Sequence, residues 1–227
     1  MRHRNPNLRS ALAFAVMAAV ATFASSVTAQ PTSPGHIEFE VFRNGQPFGR
    51  QSVVVRESGG QLIAETSADL QANLGPLRVF TYAQRCRETW RDGRLAGLNC
   101  STTKNGRRAA VTGATSADGF NVRNSRGALS FAADVLPTSW WSRPPLSTRE
   151  MLNTETGQRL PVRVILVGRE TIEIGGQRIA ADRIRVQGTL TVDLWYDSEG
   201  RWVSSAFTID DQRITYRLVS APSAGPS

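Results

Sequence analysis

CRETWRDGRLAGLNC, residues Cys86 to Cys100, decides how this chain folds. Two stretches that alternate apolar and polar residues flank Asp92-Gly93. Asn-Gly and Asp-Gly between such stretches mark a hairpin, because the turn needs positive φ that Gly and Asn or Asp tolerate. Side chains on a strand alternate with period two, so Cys86, Glu88 and Trp90 share one face of the incoming strand. On the outgoing strand Ala96, Leu98 and Cys100 share a face, and Leu95, Gly97 and Asn99 take the other. A three-residue loop brings the Trp90 and Leu98 faces together. A loop of residues 92–94 then sets Cys86 directly opposite Cys100, within reach of a disulfide, and a loop of residues 91–93 sets them on the diagonal. The expectation is a Cys86–Cys100 bridge; the alternative is two buried thiols that never meet.

The same phrase of aromatic residue and polar Gly turn recurs. EVFRNG occupies residues 40–45 and DLWYDSEGR residues 193–201. Working outward, residues 36–43 and 46–57 read as a hairpin around Asn44-Gly45, and Ser58-Gly59-Gly60 turns into a strand over 61–66. Residues 77–91 and 94–103 form the central hairpin, and Lys104-Asn105-Gly106-Arg107 leads into another strand. Shorter strands follow at 119–123 and 128–132. Residues 136–145, with three prolines and the pair Trp140-Trp141, interrupt the pattern as a loop. Ser147-Thr148-Arg149-Glu150 spells a capping box, so a short helix is expected there, ending before Gly157. Strands resume at 160–167, 170–174, 177–186, 189–196, 201–209 and 213–219. Near the end of the chain Ile184, Val186, Leu190, Val192 and Leu194 face one way; Arg183, Arg185, Thr191, Asp193 and Trp195 face the other. The fold class is therefore mainly β: a strongly curved antiparallel sheet or incomplete β-barrel of about twelve strands with one short helix over its open side. A two-sheet sandwich is the alternative.

The N-terminus reads as a targeting segment. Arg2, His3, Arg4 and Arg9 precede the apolar run 11–23, which is too short for a stable membrane span, and Val27-Thr28-Ala29 offers a small-residue cleavage site. Residues 1–29 are thus expected to be a cleaved signal peptide, residues 30–220 a single domain and residues 221–227 a frayed tail, with the protein in the periplasm. No Cys near the cleavage point supports lipidation. The net charge of +8 falls to about +5 once Arg2, Arg4 and Arg9 leave. Lys104 is the single Lys; the Arg bias fits either an anionic partner, such as lipid head groups or glycan phosphates, or Arg standing where other proteins use Lys, and the absence of any run of bases longer than a pair favours the latter. No nucleic-acid partner is expected. An exported chain with two cysteines fits a disulfide.

Catalytic parts are scarce. Beyond the signal segment His36 is the one histidine, so Ser-His or Cys-His chemistry and a His-rich metal site lack their components. No Gly-rich phosphate loop is present, and neither a cofactor nor a metal is expected. Glu88 and Asp193 each stand two residues before a Trp, and paired carboxylates beside aromatics suit glycoside cleavage; the plainer reading is two polar residues on a solvated face. Asp197, Glu199, Asp210 and Asp211 lie in turns whose spacing fits no EF-hand loop. Trp140, Trp141 and Trp195 are the candidate ligand-binding residues, lining a cavity with Phe80, Phe207 and Tyr216, whereas Trp90 and Trp202 read as core.

The run ETWRDGRL from Glu88, Asn105-Gly106, PTSWW from Pro137, LNTETG from Leu152 and DLWYD from Asp193 resemble an exported proteobacterial family of unknown function. That resemblance implies a fold and no catalytic residues. The layout is also distantly similar to the lipoprotein carriers LolA and LolB, which implies a half-barrel over a hydrophobic cavity. The expected function is that of a non-enzymatic binding or carrier protein for an apolar envelope ligand such as lipid. One alternative is an envelope interaction protein docking a partner through the Arg183, Arg185, Arg213 and Arg217 face. The other is a carbohydrate-active enzyme using Glu88 and Asp193.

Overall fold

The computed structural model describes residues 35–220, so the expected signal peptide and tail lie outside the described residues. Among the described residues, sixteen strands form two sheets. The first eight are β1 (Gly35–Arg43), β2 (Gln46–Ser58), β3 (Gln61–Leu74), β4 (Leu77–Arg91), β5 (Arg94–Lys104), β6 (Arg107–Ser116), β7 (Gly119–Asn124) and β8 (Gly127–Phe131). The connection that follows holds β9 (Leu136–Pro137), β10 (Glu150–Leu152) and β11 (Arg159–Pro161). The chain closes with β12 (Arg163–Ile174), β13 (Gln177–Gln187), β14 (Val192–Asp197), β15 (Trp202–Ile209) and β16 (Gln212–Ser220).

The large sheet has thirteen strands in the order β12-β13-β14-β15-β16-β1-β2-β3-β4-β5-β6-β7-β8. Every neighbouring pair is antiparallel, and all are sequential hairpins except β16 with β1, where the last described strand pairs with the first. The ladder is open, ending at β12 and β8. This corrects the expected strongly curved sheet or incomplete barrel of about twelve strands: the chain between the two end strands does not join them but builds a separate small sheet, β11-β10-β9. Nor is that small sheet half of a sandwich, since its strands are two or three residues long.

No helix occurs among the described residues, which overturns the helix expected from Ser147. Pro144 and Pro145 lead into the segment, and fewer than ten residues separate Ser147 from Gly157, too few to offset helix nucleation. Glu150, instead of reaching back to the cap, opens β10 opposite Pro161 and pairs with Arg159. Asn153 Oδ1 then accepts the Glu155 and Thr156 N–H groups at 2.8 and 3.1 Å, and Gly157 donates to the Asn153 carbonyl. Those local bonds fix a turn where the helix would have run.

The hairpin turns follow the sequence. Asn44 and Gly45, Asp92 and Gly93, and Asn105 and Gly106 all have positive φ. Asp92-Gly93 is a two-residue turn, with Arg91 opposite Arg94, rather than the expected three-residue loop. Ala96 is the extra residue of a β-bulge between Leu95, opposite Trp90, and Gly97, opposite Thr89. The bulge restores the parity that the shorter turn would have broken, so Leu95, Leu98 and Cys100 are all buried. Cys86 faces Cys100 directly, with Cα atoms 4.1 Å apart, and the two are disulfide-bonded. A second bulge, at Phe48, places Gly49 where any Cβ would lie 2.0 Å from the Asp69 carbonyl oxygen, so only Gly fits.

One face of the large sheet carries the core. Phe39, Trp90, Ile184, Leu194 and Trp202 are among its fully buried side chains, and the Phe39 and Trp202 rings lie 4.3 Å apart. Met151 and Leu152 of β10 join this core, so the connection between β8 and β12 packs onto the buried face. The opposite face is laced with ion pairs, such as Arg56–Glu65 and Arg85–Asp69.

Candidate functional site

Glu88 holds the connection to the sheet. It sits on β4 between Cys86 and Trp90 on the core face and is fully buried. Its Oε2 accepts the indole N–H of Trp90 and that of Trp141, both at 2.9 Å. The two rings meet edge to face with centroids 5.6 Å apart. Burial pushes the Glu88 carboxyl above the usual carboxylate range, against the opposing pull of the Trp141, Ser139 and Trp90 groups around it. Trp141, fully buried, therefore clamps its loop to the centre of the sheet.

Anchoring Trp141 constrains its neighbour. Trp140 has φ of 64°, a left-handed conformation that costs a bulky residue roughly 1–3 kcal/mol. Its carbonyl accepts the Tyr196 hydroxyl at 2.8 Å. Tyr196 lies in the core, and burial drives its hydroxyl far above the ordinary tyrosine range, so it stays a donor. Held from both sides, Trp140 borders a cavity of about 570 Å³. Phe48, Leu70, Phe80, Phe207 and Tyr216 form apolar walls from β2, β3, β4, β15 and β16. Burial pushes the Tyr216 hydroxyl up to about 12. Polar groups are interspersed among them: Arg43 Nε donates to Gln212 Oε1 at 3.1 Å, and Lys104 Nζ lies 3.7 Å from Glu155 Oε1. Its surface is more apolar than polar, although Gln51, Thr66, Gln84, Thr154 and Ser205 also border it.

The three candidate tryptophans part company. Trp140 lines the cavity; Trp141 is fully buried at Glu88; Trp195 borders neither. Alternation on β14 turns Leu194 and Tyr196 inward and Trp195 outward, where the Arg183 guanidinium sits 5.2 Å from its ring centre. Phe80, Phe207 and Tyr216 do line the cavity, while Trp90 and Trp202 are core. Leu70 and Phe48 line the cavity too, without a local sequence signal: residues 67–74 lack strong strand formers, and Phe48 is the extra residue of a bulge.

The carboxylates have structural partners. Asp193 Oδ1 and Oδ2 accept Arg185 Nε and Nη2 at 2.7 and 2.9 Å, and Oδ2 also accepts Arg183 Nη2 at 2.5 Å. Partial burial pulls the Asp193 carboxyl up, but the hydrogen bonds and charges of Arg185 and Arg183 outweigh it and hold the group below its ordinary value. Asp197 organises the β14–β15 turn, its Oδ1 accepting the Glu199 and Arg201 N–H groups and its Oδ2 the Arg201 Nε. No cluster of three or more potential metal ligands occurs among the described residues.

Fold and site together define a mainly-β protein with an apolar cavity beneath a clamped aromatic loop. The chain belongs to the DUF6134 family, a domain of unknown function whose model matches residues 39–219. No curated protein matches the sequence. Among solved structures, it is similar to a beta-barrel-like protein of the unknown-function family DUF1849 from Brucella abortus. The TM-score is 0.57 at 6% identity, covering 84% of this chain and 97% of that one. LprF from Mycobacterium bovis aligns over 86% of this chain and 88% of its own, with TM-score 0.32 and 13% identity. The former likeness is one of fold alone.

Proposed function

We propose that this protein is exported to the periplasm and there binds or carries an apolar envelope ligand, such as a lipid, without transforming it. The observation that carries this reading is the cavity of about 570 Å³ with Trp140 held in a strained conformation at its wall. Its volume falls in the range of roughly 300–1,000 Å³ usual for small-ligand sites. Strain at a residue that borders a cavity is a feature of ligand clamps. Glu88 and Asp193, the carboxylates best suited by sequence to cleave a sugar, are occupied by indoles and guanidinium groups respectively.

Titration of the purified chain with an apolar fluorescent dye such as N-phenylnaphthylamine tests the reading. Saturable binding at one site, competed by a long-chain lipid, is the expected result. Fluorescence that never saturates, or that no lipid displaces, contradicts it.

A further inference from the structure

A second groove, of about 580 Å³, lies beside the cavity, between the β5–β6 turn, the β7–β8 turn and residues 155–156 of the connection. Its walls are tied together. Asn105 donates its N–H to the Thr81 carbonyl and accepts the Thr81 N–H on Oδ1, each at 2.9 Å, which fixes the β5–β6 turn to β4. Asn124 Oδ1 accepts the Arg126 N–H at 2.7 Å, and Asn124 Nδ2 donates to the Thr156 carbonyl at 3.0 Å. The groove is therefore shaped before anything enters it.

Its charge is lopsided. Lys104, Arg107, Arg108 and Arg126 border it, against Glu155 alone. Glu155 pairs with Lys104, and among the described residues none of the three arginines is in an ion pair. Arg107 is the cross-strand partner of Lys104 and shares its inward face. Arg126 projects from the neighbouring turn. Guanidinium forks are suited to phosphate, which they bind through paired hydrogen bonds.

The groove and the apolar cavity share two lining residues, Lys104 and Glu155, so the pair marks the boundary between a basic compartment and an apolar one. We propose that the ligand is an acyl-chain amphiphile with a phosphate head, the head held by Arg107 and Arg126 and the chain passing Lys104 into the cavity. This rests on the cavity reading above and names the class of its ligand.

Calorimetric titration of the full chain with dodecyl phosphate, dodecanol and inorganic phosphate tests it, alongside the double variant Arg107→Ala/Arg126→Ala. Dodecyl phosphate is expected to bind about tenfold or more tighter than dodecanol. The double variant should lose about that factor for dodecyl phosphate and none for dodecanol, whose unchanged binding also reports an intact fold. Equal affinities for the two amphiphiles, or a variant that binds dodecyl phosphate as well as the parent, overturn the head site and leave the cavity reading standing. Failure of both amphiphiles to bind removes the cavity reading too. Inorganic phosphate binding as tightly as dodecyl phosphate, and lost in the variant, would make the groove a site for the free ion and overturn the amphiphile.

Discussion

Glu88 and Asp193 share a local spelling, an acid two residues before a Trp on a strand, yet meet opposite fates. Glu88 points to the core, where two indole N–H groups are its donors and burial favours its neutral form. Asp193 points to the other face, where Arg183 and Arg185 favour its charge. The difference lies in strand parity alone: Glu88 sits on the same face as Cys86, and Asp193 on the face opposite Leu194. One carboxyl fastens the Trp141 loop over the cavity; the other knits β13 to β14 on the outside.

The contrast can be broken most forcefully at Glu88. Replacement by Ala removes the carboxylate oxygen that accepts two buried indole N–H groups, each such loss costing about 1–3 kcal/mol. Glu88→Ala should therefore destabilise the chain by about 3 kcal/mol or more in urea unfolding, and release the Trp141 loop. Glu88→Gln, which keeps an acceptor of the same shape, should recover most of that loss. Asp193→Asn strikes a partly exposed ion pair, whose contribution solvent screening limits, and should cost only about 1 kcal/mol. If Asp193→Asn proved the more damaging, the assignment of anchor and surface pair would be reversed.

The pH dependence of stability sharpens the same contrast. The Glu88 pKa is raised on folding, so the stability it contributes is complete at low pH. It declines as pH climbs from the ordinary carboxylate range through the raised value. The Asp193 pKa is lowered, so its contribution is complete above the ordinary range and is lost as pH falls through the lowered value. Glu88→Gln should accordingly flatten the decline in stability that sets in as pH rises above the ordinary carboxylate range, and Asp193→Asn the loss as pH falls below it. The smallest stability effect is expected at Trp140. Trp140→Gly relieves the left-handed strain while removing a cavity wall, so unfolding should shift by no more than about 1 kcal/mol. Dye affinity, measured on the same sample, should fall clearly.

Much of this arrangement was legible in the residues. Asn44-Gly45, Asp92-Gly93 and Asn105-Gly106 announced their turns because positive φ admits few residue types. The bridge between Cys86 and Cys100 followed from parity, although the bulge at Ala96 that secures this parity has no spelling of its own. Parity also places Glu88 beside Trp90, and Trp195 beside Arg183 on the face away from Leu194, outside the cavity it was expected to line. The helix expected at Ser147 failed because a capping box is a local signal, and the pairing of Glu150 with Pro161 is a tertiary one. Residues 67–74 extend β3 without strong strand formers, because pairing along β4 overrides their weak propensity. The open order of the thirteen strands was hidden for a related reason. Alternation reveals which face a residue takes but not whether the two end strands meet.

The central claim is that an apolar ligand occupies the space beneath Trp140. Native mass spectrometry of the protein isolated from its own envelope tests this most directly. A species heavier than the bare chain by the mass of one lipid, reduced in Trp140→Gly, is the predicted result. A single species at the bare-chain mass, in parent and variant alike, would contradict it.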